Sequence, residues 1–127
     1  MNENPTDADE QFELAKNYVT GGDREKALYW FTKAAEQSHT EAQYIIGTSY
    51  GTYDNIFGIQ KDPEKAVYWS TKAAEQGHAG AQFYLGLIYA TGDGVPKDWE
   101  EAEYWVTKAA EQGNEDAERM LAQLDSL

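Results

Sequence analysis

The chain contains no cysteine. That removes disulfides, thiolate nucleophiles and Cys-ligated zinc, though it selects no compartment. Cations are scarce too: 10 Lys and Arg stand against 23 Asp and Glu, for a net charge of −13 and a pI near 4.3. Nucleic acid is thereby disfavoured, because phosphate neutralisation by Lys and Arg supplies most of that affinity. Anionic membrane surfaces are disfavoured on the same ground. No run approaches the ~20 apolar residues of a membrane span. Met1 to Glu13 has neither a basic n-region nor an apolar stretch, so no export signal is visible and a cytoplasmic location is expected. A mature form lacking its leader would read the same. A basic partner fits the charge, and so does plain solubility.

What is present is repetition. Thr32-Lys33-Ala34-Ala35-Glu36-Gln37 returns as Thr71-Lys72-Ala73-Ala74-Glu75-Gln76 and as Thr107-Lys108-Ala109-Ala110-Glu111-Gln112. The copies lie 39 and then 36 residues apart, and each follows a tryptophan: Trp30, Trp69, Trp105. A period of that length marks stacked supersecondary units, of which about three are needed to bury a continuous core. With 41% hydrophobic residues the 127-residue chain can supply one.

Asn2 to Thr6 reads as a frayed lead-in, with Thr6 as N-cap of a first helix carrying Phe12, Leu14, Ala15 and Tyr18 on its apolar side. Gly21-Gly22 ends that helix, and Asp23 caps a second in which Ala27, Trp30, Phe31 and Ala34 share a face. The second unit starts at Thr40 with Ala42, Ile46, Gly47 and Tyr50. The third starts at Ala79 with Ala81, Leu85, Gly86 and Tyr89 at the same spacing. Gly47 and Gly86, inside helices at a cost of about 1 kcal/mol each, predict close helix approach. Asp62 followed by Pro63, and Asp98 with Glu101, are helix starts. Gly77 and Gly113 suit a left-handed helix closure, but Ser38 stands at that place in the first unit and predicts a strained or different closure. Glu115 to Leu127 repeats only a first helix, with Glu115, Asp116, Glu118, Arg119 and Gln123 as its polar side, and reads as a cap.

Ala81-Gln82-Phe83-Tyr84-Leu85-Gly86-Leu87-Ile88-Tyr89, then Gly92-Asp93-Gly94-Val95-Pro96-Lys97-Asp98, then Ala102, Trp105 and Lys108 to Gly113 resemble one complete Sel-one-like repeat, a longer relative of the tetratricopeptide repeat. The likeness covers residues 8–39, 40–78 and 79–114, with a partial unit at 115–127, in one repeat domain. It implies an all-α fold: a right-handed superhelical solenoid of helix pairs whose first helices line the concave side. It also implies an adaptor or scaffold for other proteins, not an enzyme. The first unit departs from the pattern by turning tightly over Gly21-Gly22. The second keeps only Gly58-Ile59-Gln60-Lys61-Asp62 of the loop and adds three residues within Tyr53 to Phe57.

The expected partner is another protein or peptide, with no cofactor and no metal, and a monomer is the expected state. Two other readings stay open: an acidic inhibitor or immunity-type protein covering a basic toxin or enzyme, and a structural module that stacks on itself. A catalytic reading lacks a nucleophile, a phosphate loop and a metal signature. His39 and His78, at equivalent positions, are expected to serve a helix C-terminus rather than a metal. Phe12, Tyr44 and Phe83 recur in register, which packing between repeats would produce as readily as a binding ladder. Positions that vary between units carry more information: Lys16, Thr48 and Leu87, with Asn17, Ser49 and Ile88 beside them. Leu87 and Ile88 predict an apolar end to the groove. In the inserted loop, Tyr53 and Phe57 are the candidate anchors, against the alternative that Ile56 and Phe57 fold back over the short first unit. Each tryptophan is expected to pack within its repeat, and the cap to cover Tyr104 and Trp105.

Overall fold

The computed structural model describes residues 2–125, and among them every regular element is a helix. The order is α1 (Ala8–Gly21), α2 (Arg24–Glu36), α3 (Thr40–Tyr50), α4 (Pro63–Glu75), α5 (Ala79–Thr91), α6 (Trp99–Glu111) and α7 (Glu115–Asp125). Each helix packs on its neighbours in sequence, and α3 also touches α5, so three hairpins stack into a solenoid with α7 against α6.

Helix starts follow the side chains that satisfy free backbone donors. Asp23, Asp62 and Asp98 accept the backbone N–H of Lys26, Lys65 and Glu101. For α1 the cap is Asp7, which accepts from Glu10, and not Thr6. The histidines hold a role unlike the expected one. The Nδ1 of His39 accepts from the Ala42 N–H at 3.1 Å and that of His78 from Ala81 at 3.0 Å, so each side chain begins the next helix, while the backbone N–H closes the last. Asn114 does the same for α7 through Oδ1. Gly77 and Gly113 close their helices at φ 93 and 88, and Ser38 adopts the same left-handed form at φ 67. That conformation costs a residue with a Cβ about 1–2 kcal/mol.

Three apolar clusters run along the stack. The first gathers Leu14, Ala15, Phe31, Ala34 and Ile46, the second Ala73, Ala74, Leu85 and Ile88, and the third Val106, Ala109 and Ala117. The tryptophans join units rather than filling their own. Trp30 is buried, but Trp69 of the second unit is half-buried against the first cluster and Trp105 of the third against the second. Full burial falls one residue later, at Phe31, Ser70 and Val106. Ser70 and Val106 are where the helices touch: a Cβ on Gly47 would stand 2.9 Å from the Ser70 nitrogen, and one on Gly86 3.3 Å from that of Val106. α7 covers Phe83, Val106 and Ala110 through Ala117, Met120 and Leu121, whereas Tyr104, expected beneath it, is exposed.

A ladder of glutamines ties the units together. Gln43 and Gln82, both buried, donate to the carbonyls of Ala35 and Ala74 at the end of the preceding hairpin. Each in turn accepts from Gln76 or Gln112 at the end of its own. In the first unit Gln11 accepts from Gln37, and the two donate to the carbonyls of Pro5 and Thr6 in the lead-in. The lead-in is therefore pinned, with Pro5 buried, where the sequence predicted fraying.

Candidate partner-binding surface

The loop between α3 and α4 divides the residues expected to act together. Asn55 organises it: its Oδ1 accepts the N–H of Phe57 and Ile59, both at 3.1 Å, and its Nδ2 donates to the carbonyls of Thr52 and Ile59. This turn sends Phe57 inward, where it is 5% exposed and meets the edge of Phe31 at 5.6 Å between centroids. Phe57 is thus core, as the fold-back alternative had it, and not a contact anchor. Ile56, which the same alternative folded back, stays 49% exposed, and Tyr53 is 85% exposed. Lys61 fixes the far side, 3.1 Å from Asp93 of the third unit and 4.8 Å from the centre of the Tyr53 ring.

The positions that vary between units lie in register on α1, α3 and α5. Lys16 is exposed, paired with Glu13 at 2.9 Å and set over the Phe12 ring. Thr48 is half-buried and its hydroxyl donates to the Tyr44 carbonyl at 2.9 Å. Leu87 is 36% exposed, but Ile88 is buried in the second cluster, so the apolar end expected from the pair is carried by Leu87 alone.

The recurring aromatics are packing residues. Phe12 stacks on His39 and Tyr44 on His78, both at 4.3 Å between centroids. Each imidazole accepts at Nδ1, so its proton sits on Nε2, facing Asp9 at 3.3 Å and Glu41 at 2.8 Å. One histidine thereby caps a helix, stacks on the previous unit's aromatic and meets its carboxylate. Phe83, whose unit is followed by Asn114, packs under α7 instead. Among the described residues no group of three His, Asp or Glu is placed to hold a metal ion. Burial, with Glu41 beside it, pushes the Tyr44 phenol above its ordinary value. Burial does the same for Tyr84, aided by Asp93 and Tyr44.

One electrostatic pattern went unseen in the sequence. All eight lysines lie over an aromatic ring, 4.8–5.5 Å from its centroid. Three of these pairs, Tyr29–Lys33, Tyr68–Lys72 and Tyr104–Lys108, repeat on the outer faces of α2, α4 and α6 at helical i,i+4 spacing. The signal was there, since Tyr and Lys recur four apart in every unit. Most carboxylates have no such companion, and on α6 Glu100, Glu103 and Glu111 flank Tyr104 along a shallow exposed stripe. No helix among the described residues is long and apolar enough to cross a membrane.

These hairpins, caps and glutamine joints define the class: an all-α helical-repeat solenoid. The Sel1 repeat family model matches residues 11–39, 40–78 and 79–114, and the chain belongs to that family. A Sel1 repeat protein from Oxalobacter formigenes superposes with a TM-score of 0.85 at 36% identity, over 93% of this chain and 90% of that one. A protective antigen of uropathogenic Escherichia coli with an SLR fold gives 0.81 at 38% identity, over 88% of this chain but only 24% of its own. Helicobacter pylori cysteine rich protein B shares the fold, with a TM-score of 0.73 at 23% identity over 89% and 88% of the two chains. No curated protein sequence matches the chain.

Proposed function

We propose that the protein is a non-catalytic adaptor that binds another protein through a preformed surface built from α3, α5 and the loop between α3 and α4. The observation that carries this reading is the state of that loop. It is fixed by Asn55, Phe57 and Lys61, yet it holds Tyr53 and Ile56 out in solvent, where neither serves the core. A rigid surface of this kind binds without an ordering cost of its own, and aromatic side chains dominate interface energetics. Leu87 and Thr48 extend the surface onto the helices, while Tyr44 and Phe83 support it from beneath as packing residues.

A basic partner suits the charge, because the lysines are already set against rings while most carboxylates face solvent. The inhibitor-like reading shares that prediction. The test compares wild-type and Tyr53→Ala baits in affinity capture from the native cell, read by mass spectrometry, beside sedimentation of the isolated protein. A partner retained by wild type and lost by the variant at unchanged melting temperature is expected, with the free protein a monomer. Identical capture by both baits would sink the assignment of this surface. Concentration-dependent association of the protein alone would favour the self-stacking module.

A further inference from the structure

We propose that the depression between α3 and the α3–α4 loop is a peptide subsite for an aliphatic side chain flanked by lysine or arginine. The proposal rests on the adaptor reading and narrows it to one place and one chemistry. Ile45, Thr48 and Ser49 form one side and Thr52, Asp54 and Ile56 the other, around an open space of about 320 Å³. That is near the lower end of ligand-site sizes, roughly 300–1,000 Å³, and suits one or two side chains rather than a cofactor.

Three features select the occupant. First, the lining is short of free donors, with the nearly buried Ser49 hydroxyl as the exception. The Thr48 hydroxyl donates to the carbonyls of Tyr44 and Ile45, that of Thr52 donates to Ser49, and the Asn55 amide is committed to Thr52 and Ile59. What remains for a guest is mainly the apolar surface of Ile45 and Ile56, with carboxylate and hydroxyl acceptors around it. A guest that brings its own donors completes this set, and one that needs donors does not. Second, Asp54 is exposed on the rim, and the loop's one lysine, Lys61, is already held by Asp93 and the Tyr53 ring. A cation beside the aliphatic side chain meets that carboxylate, in a chain of net charge −13. Third, the wall is built before any guest arrives, since Phe57 plugs the core directly after Ile56 and Asn55 locks the turn.

The experiment uses the whole chain, labelled with ¹⁵N, titrated with four terminally blocked tripeptides: Lys-Leu-Lys, Gln-Leu-Gln, Lys-Ser-Lys and Glu-Leu-Glu. Lys-Leu-Lys is expected to shift the amides of Thr48, Thr52, Asp54 and Ile56 at millimolar concentration, and Glu-Leu-Glu to leave them in place. Asp54→Asn should weaken Lys-Leu-Lys about two- to fivefold, the range of one exposed ion pair, without changing Gln-Leu-Gln. Ile56→Ser should abolish the shifts while the melting temperature stays put. Equal binding of Lys-Leu-Lys and Gln-Leu-Gln, or indifference to Asp54→Asn, overturns the cationic requirement and with it the proposal. Shifts confined to the Glu100–Glu111 stripe of α6 overturn the subsite but leave an adaptor for basic partners. Silence with every tripeptide also overturns the subsite, while the adaptor reading is judged separately by capture with the Tyr53→Ala bait.

Discussion

The loops of the second and third units leave equivalent helices and return to equivalent aspartate N-caps, Asp62 and Asp98, but they are stabilised in opposite ways. In the third unit the residue before the loop glycine is Asp93, which faces outward and pairs with Lys61. In the second it is Phe57, which turns inward and fills the space beside Phe31. Both glycines, Gly58 and Gly94, are left-handed, and both press on the start of the second helix of the preceding unit. One backbone frame thus carries either a polar clasp or an apolar plug. The short first unit, with only Gly22-Asp23 between its helices, receives the plug. Unequal loops here are complementary parts of one core, not decoration on identical repeats.

The comparison breaks most sharply at Phe57. Phe57→Ala should cost about 3–5 kcal/mol, because it opens a cavity against Phe31 that the pinned loop cannot close. Urea unfolding would show it, and a midpoint near wild type would mean that the loop is an accessory. The glycines should differ as well. Alanine at Gly94 meets fixed backbone, with its Cβ 2.7 Å from the Pro63 carbonyl, whereas at Gly58 it meets only the mobile end of Arg24. Both substitutions carry the left-handed strain of about 1–2 kcal/mol, so Gly94→Ala should be the worse by about 1 kcal/mol or more in the same unfolding assay.

Smaller still is the clasp. Asp93→Asn should cost under about 1 kcal/mol, as partly exposed ion pairs do. It should also move one phenol. Tyr84 is held above its ordinary value of 10.0 by burial first and by Asp93 second, so in the variant it should ionise at lower pH. In the wild type Tyr44, Tyr84 and Tyr89 are all raised, so the folded state holds their protons longer than the unfolded chain does. Their contribution to stability is complete below pH 10 and declines as the pH rises beyond it. Ultraviolet titration of the phenols beside melting temperatures across that range checks both statements.

The hairpins were legible because identity at fixed spacing, aspartate caps and glycine closures are local signals, each carrying its own geometry. The Gly47 and Gly86 contacts could be read for the same reason: a glycine in mid-helix weakens the helix unless a close neighbour needs the space. Local pattern left Phe57 between two destinations, surface anchor or cover for the first unit, since the gap it fills belongs to a different unit. The histidines misled because a residue between two helices can serve either, and only coordinates show which backbone group it meets. The glutamines were visible as part of a repeated word, but their pairing joins residues 26 to 33 positions apart, which no helical period reports.

The glutamine joints give the chain a structural reading frame. Each joint has the same grammar: a buried amide that accepts from its own hairpin and donates to the hairpin before it. At the first position, the carbonyls of Pro5 and Thr6 take the place that a hairpin's last carbonyls hold at the other joints. A second copy of residues 79–114 spliced in after the first would find Ala110 where Gln82 now finds Ala74, and Gly113 where Gln112 now finds Gly77. Such a chain gains a rung and keeps its joints in phase. A partial unit inserted at the same place breaks the joint that spans it, while joints lying wholly on either side keep their partners. Growth and loss at these joints are therefore quantised: a whole unit preserves every joint, and a fraction of one breaks the joint it interrupts.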